Sequence, residues 1–212
     1  MTATLKKAPR SKGGPPKPVL RQRPLPDEEP QPFKWTSAEY HRLGDEGFFL
    51  GQRVQLIEGS IIEMSPQKHP HAAGIDLTRA ALEAAFGRGY WLRNQLPLKL
   101  SDISEPEPDI AVVFGGPREW TDHPTTAELV IEVSDTTLRF DLGGKAATYA
   151  KALIPEYWVI DLVHRQLIVH RQPKRPRSGA ARYDEVTVYE ADAVVKPLAK
   201  PKASVKVADL LP

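Results

Sequence analysis

The run ELVIEVS, residues 128–134, constrains the fold of this chain more than any other stretch. Its apolarity is nearly continuous, as expected of a strand covered on both faces inside a layered sheet. A period of two sets Leu129, Ile131 and Val133 toward one layer and Val130, Glu132 and Ser134 toward the other. The carboxylate of Glu132 therefore points into a covered face. Leaving it there ionised and unpaired costs on the order of several kcal/mol, so it needs a salt bridge, a raised pKa or a metal ion.

The flanking sequence supplies the rest of such a sheet. YWLRNQLPLKL (90–100) and DIAVVF (109–114) read as strands before ELVIEVS, and YWVIDL and QLIVHR read as a strand hairpin after it. A second hairpin is expected over Val54–Met64, where Glu58-Gly59-Ser60 separates two β-branched runs and Glu58 ends the first strand. Ile75, Thr78, Leu82 and Phe86 recur at helical spacing over 71–86, stopped by Gly87 and Gly89. Thr36 followed by Glu39 predicts a capping box for a short helix from Ser37 to about Gly44. Ala146, Tyr149, Ala150 and Leu153 mark a further helix beginning near Gly143 and ending before Pro155. Residues 173–182, with Lys174, Arg175, Arg177 and Arg182, read as the polar tip of a long hairpin. Helices interleaved with strands make an α/β or α+β layer fold.

At 212 residues and 41% hydrophobic content the chain has material for one sizeable core. Residues 1–32 are rich in proline, lysine and arginine with little to bury, and are expected to form a disordered basic tail before a domain over 33–212. The 29 basic and 27 acidic residues leave a net charge of +2, too small for a global field toward nucleic acid. Absence of cysteine excludes disulfides and thiolate metal sites. No apolar run approaches the ~20 residues of a membrane span and the N-terminus lacks a signal-peptide core, so a soluble cytoplasmic protein without a membrane partner is expected.

Asp109 places a second acid at the start of the strand next to Glu132, where both could converge on one cation. The bland alternatives are a turn-closing aspartate and a salt-bridged glutamate. Lys145, expected in the first turn of its helix where the macrodipole disfavours a cation, is better explained by a nearby anion. Two carboxylates and a lysine around a metal suit phosphodiester hydrolysis, and hard oxygen ligands favour Mg2+ or Mn2+. Of His69 and His71, the latter fits a capping or phosphate-facing role at a helix start. Ser134 and Asp141 are candidates for holding a ligand or the helix start, and Tyr149 for orienting Lys145.

Pro108-Asp109 followed by Glu132-Val133-Ser134 resembles the PD-(D/E)XK nucleases in the variant whose lysine is displaced from the strand, with Lys145 as the migrated substitute for Ser134. LIEGSIIEMSP, His71, PEPDIAVV, LVIEVSDTT, Asp141 with Lys145 and Tyr149, and PEYWVIDL together resemble the Uma-two family of restriction-endonuclease-like proteins, from about Thr36 to Pro212. The resemblance implies a restriction endonuclease-like mixed β-sheet flanked by α-helices, with Asp109 and Glu132 as metal ligands, Lys145 as catalytic lysine and Glu58 as an additional acid. Ser60, where many relatives carry a second acid, and Gly143-Gly144 before Lys145 depart from the pattern.

The expected function is metal-dependent DNA endonuclease. A non-catalytic module retaining the fold, or a metal-dependent hydrolase of a smaller phosphate ester, are the alternatives. The basic tail and the 173–182 loop could contact phosphates, and a homodimer is an option because nucleases that cut both strands often pair.

Overall fold

The computed structural model describes residues 31–212, so the tail expected over 1–32 lies, up to residue 30, outside the described residues. Described by itself, the unit Phe33–Pro212 is built on a six-stranded sheet of order β3-β4-β5-β6-β7-β8. The strands are β3 (Tyr90–Asn94), β4 (Ile110–Phe114), β5 (Leu129–Ser134), β6 (Glu156–Asp161), β7 (Gln166–Lys174) and β8 (Arg182–Glu190). Only β5 and β6 run parallel; the other pairs are antiparallel. This is the mixed sheet flanked by helices that the sequence predicts.

The alternation in ELVIEVS appears as expected. Leu129, Ile131 and Val133 join Ile110, Val112, Trp158 and Ile160 in one core layer, and Val130 joins Ala111, Val113, Tyr157 and Val159 in the other. The first layer is covered by α2 (His69–Phe86) through Ile75, Leu82 and Phe86 and by the C-terminal Val207 and Leu210. The second is covered by α4 (Ala146–Lys151) through Ala146, Tyr149 and Ala150.

Helix α1 (Ser37–Asp45) starts in the predicted capping box, in which Thr36 accepts from the Glu39 amide and the Glu39 carboxylate accepts from the Thr36 amide. The small hairpin of β1 (Val54–Ile57) and β2 (Ser60–Glu63) turns on Glu58 (φ 50°) and Gly59 (φ 80°). Two positive φ values make a tight two-residue turn whose twist matches the strands. Glu58 is thus a turn residue and not the end of the strand. At Gly59 a Cβ would meet Lys34 Cβ at 2.6 Å, so the position requires glycine on steric grounds too.

The helix carrying Lys145 departs most from expectation. It begins at α3 (Leu138–Phe140), passes through a π-helical turn at Asp141–Lys145 and continues as α4. Lys145 is therefore not in a first turn, and the macrodipole argument for it falls. Gly143-Gly144, which reads as a boundary, lies instead within the widened turn, a feature frequent at functional sites. At Gly144 a Cβ would meet the Phe140 ring at 3.0 Å.

Candidate active site

The end of β5, the turn after it and the π-helical segment line one wall of a cavity of about 710 Å3. Asp109, His71 and Lys68 also line it, with Gln55 from β1, Glu63 from β2 and Arg53 just before β1. Asp109 and Glu132 reach it from adjacent antiparallel strands because Ile110 pairs with Ile131. By the period of two, Asp109 falls in line with Ala111 on the layer that Glu132 faces.

Two buried carboxylates share one ammonium, with Asp109 a third buried acid at the start of the neighbouring strand. Lys145 Nζ lies 2.8 Å from Glu132 Oε2 and 3.7 Å from Asp141 Oδ1. Asp109, Glu132 and Lys145 are only 6%, 2% and 6% exposed. Tyr149 donates to Glu132 Oε1 at 2.8 Å, so it orients the glutamate and not, as the sequence suggested, the lysine. Ser134 (2.9 Å) and Thr137 (2.6 Å) both donate to Asp141 Oδ2, which fixes the start of the widened turn to the strand.

Asp109 is held from two sides. Its Oδ2 accepts from the Val133 amide at 2.8 Å, and its Oδ1 lies 3.2 Å from His71 Nε2 and 3.3 Å from Gln95 Nε2. His71 is not a cap: α2 is capped by Lys68 without a side-chain bond, and the imidazole in its first turn faces Asp109. His69, two residues earlier, is exposed. Glu58 is not brought to this group. It pairs with Lys151 and accepts from Ser104 on the hairpin turn, away from the residues lining the cavity.

The electrostatics follow from this crowding. Burial, joined by the charges of Asp109 and Asp141, pushes the Glu132 carboxyl up to about 8 against the pull of Lys145. Burial acts to lower the Lys145 ammonium, but Glu132 and Asp141 outweigh it and hold it above its ordinary value. Burial likewise opposes ionisation of Asp109, yet the His71 contact and the Val133 amide leave its carboxyl below the usual range. His71 in turn is held above its ordinary value by Asp109, against the effect of burial.

Among the described residues no three His, Asp or Glu side chains surround one point as a ready metal cage. Asp109 and Glu132 instead offer two hard-oxygen donors beside an open cavity. That suits a cation such as magnesium, which is held by one or two carboxylates and keeps waters and substrate oxygens as its other ligands. Each carboxylate retains lone pairs beyond the bonds just described.

Two lining residues, Glu107 and Thr137, and one residue that supports the site from outside the cavity lining, Gln95, were not singled out in the sequence. Glu107 stands two residues before Asp109 on the same extended segment and pairs with Arg53 at 3.2 Å, and its amide donates to Gln55. Spacing alone could have flagged it. Thr137 was missed because the helix was expected to begin at the glycines. Gln95 follows a strand end with φ 51°, and no pattern in the sequence foretells its reach to Asp109.

The family described as "Putative restriction endonuclease", Uma2, matches residues 37–208 of the chain. A crystal structure described as "a putative nuclease belonging to DUF820", from Anabaena variabilis, shares the fold with a TM-score of 0.59 at 19% identity, covering 82% of this chain and 96% of that one. Comparison with curated proteins gives no match. Among the described residues no helix is long and apolar enough to cross a membrane.

Proposed function

Since the chain belongs to the Uma2 family of restriction endonuclease-like proteins, we propose that it is a divalent-metal-dependent endonuclease that hydrolyses DNA phosphodiester bonds, with Asp109 and Glu132 as metal ligands and Lys145 as the catalytic cation. The observation that carries this is the excess of buried carboxylate over ammonium at the cavity wall. Asp109, Glu132 and Asp141 are all buried near the one ammonium of Lys145, which reaches Glu132 at 2.8 Å, and this arrangement leaves a place for added positive charge. A divalent cation supplies it, and the carboxylates are hard ligands of the kind magnesium and manganese take.

When bound, such an ion polarises the scissile phosphate and lowers the pKa of an attacking water. The chain's own residues set the geometry. The Val133 amide, Gln95 and His71 fix both oxygens of Asp109. Tyr149 fixes one oxygen of Glu132 and leaves the other to Lys145. The Lys145 ammonium stands where it can stabilise charge growing on a phosphate oxygen, worth most in a site poor in water. Arg53, Lys68 and Arg139 line the cavity, and in this reading they hold flanking phosphates, a contact that positions a strand without reading its sequence.

Purified protein incubated with supercoiled plasmid and magnesium or manganese tests this. Nicking that requires the metal and is lost in Asp109→Ala is expected. Equal nicking by both proteins, or activity confined to simple phosphodiesters, would overturn it.

A further inference from the structure

Arg93 is only 3% exposed, yet among the described residues it has no carboxylate partner. One guanidinium nitrogen, Nη2, donates to the Pro97 carbonyl at 2.9 Å and meets His123 Nδ1 at 3.1 Å. An arginine can only donate, so His123 accepts there and carries its own proton on Nε2. Nε of Arg93 is buried and unpartnered. Burial lowers the pKa of the guanidinium, as it does for a cation without a counter-ion. Buried charge is ordinarily paired, and a buried arginine left single needs an account.

The side chain lies 4.5 Å over the Trp91 ring and helps line a separate hollow of about 300 Å3, with Trp91, Trp120 and His123. Asp122, also on its wall, is already engaged by Lys99 at 3.1 Å and by the His123 amide. The size is at the low end for small-ligand pockets, roughly 300 to 1,000 Å3, and the hollow is shallow and open, so it would hold a small ligand against its wall and not enclose it. The Trp120 indole offers a flat apolar surface of the sort on which an unpaired base stacks, Trp91 carries the Arg93 guanidinium on its own ring, and that guanidinium and an imidazole N–H offer donors to an anion.

The hollow is tied to the candidate active site through β3. Arg93 pairs with Ala111 of β4, two residues after Asp109, and Gln95, two residues beyond Arg93, donates to Asp109. The geometry points to a nucleotide-binding subsite built by Arg93, Trp91, Trp120 and His123, which holds an unpaired nucleotide of the substrate strand by its base and phosphate. This deepens the nuclease proposal and rests on it for the origin of the nucleotide, not for the binding itself.

The test is binding of deoxyadenosine monophosphate to the full chain in chelator, read by quenching of tryptophan fluorescence, beside deoxyadenosine and inorganic phosphate. The monophosphate should quench and bind about tenfold or more tighter than either fragment, because base and phosphate are both held. Trp120→Leu and Arg93→Gln should each weaken it by about tenfold or more with unchanged circular dichroism. Absence of binding, or equal binding by Trp120→Leu, overturns the subsite. Phosphate binding as well as the nucleotide reduces it to a plain anion site and overturns the base contact. Because metal is absent and no bond is cut, plasmid nicking without nucleotide binding sinks this inference alone. Binding without nicking sinks only the nuclease proposal.

Discussion

The ammonium of Lys145 and the carboxylate of Glu132 meet at 2.8 Å, brought together from a strand and a widened helical turn, and both are nearly inaccessible to water. Removing one partner of a buried pair costs about 3 to 5 kcal/mol when the other stays charged. Glu132 can relieve that by taking a proton. Lys145→Met should therefore destabilise the chain less at about pH 6 than at about pH 9 in urea unfolding, and abolish nicking. The double variant with Glu132→Gln should recover much of the stability and none of the activity.

Proton linkage gives a second expectation. A carboxyl whose folded pKa lies above its ordinary 4.5 binds more protons folded than unfolded, so the stability it supports is full below that value and is lost as pH rises toward about 8. His71, also held high when folded, contributes in the same direction. Glu132→Gln should flatten the fall in stability across that window. Manganese binding near about pH 7 should release a proton from Glu132, seen as a calorimetric heat that varies with the ionisation enthalpy of the buffer. Glu132→Gln should remove that release.

Tyr149→Phe removes only a hydroxyl that donates at 2.8 Å to Glu132. The ring stays packed against Tyr157, with centroids 4.9 Å apart. A loss of about 1 to 3 kcal/mol in denaturant unfolding is expected for a hydrogen bond to a buried carboxyl, with weaker metal binding. Unchanged manganese affinity would count against a role in orienting Glu132.

Gly74 lies where α2 crosses β5, and a Cβ there would meet Val133 Cγ1 at 2.9 Å and Leu162 at 3.5 Å. Alanine gains up to about 1 kcal/mol in helix propensity, but overpacking against a β-branched side chain locked in a sheet costs about 1 to 3 kcal/mol. Gly74→Ala should lower the unfolding temperature. By shifting the first turn of α2 it should also part His71 from Asp109, which weakened metal binding would report.

Glu58 and Lys151 form a partly exposed pair, worth about 0 to 1 kcal/mol. Glu58→Gln should change stability within that range and nick plasmid at close to the wild-type rate. A loss on the scale of Asp109→Ala would instead place Glu58 in the catalytic machinery.

What the sequence determined by itself were the features with short-range causes. The apolar run around Glu132 dictated a strand covered on both faces, and the period of two dictated the layer into which that carboxylate points. Thr36 and Glu39, three residues apart, dictated a helix start, and Glu58-Gly59-Ser60 between two apolar runs dictated a hairpin, though not that Glu58 belongs to its turn. Tertiary structure decided everything that depends on distances across the chain. Glycines at 143 and 144 look like a helix boundary because local propensity disfavours them, yet packing of Phe140 against Gly144 and the anchoring of Asp141 by Ser134 and Thr137 carry the helix through them. That widened turn sets Lys145 beside Glu132. Tyr149 was legible as a helical neighbour of Lys145, but only the packing of α4 on the sheet turned its hydroxyl to the glutamate. Gln95 and Arg93 carried no signal, because a reach across strands and a missing counter-ion exist only once the chain has folded.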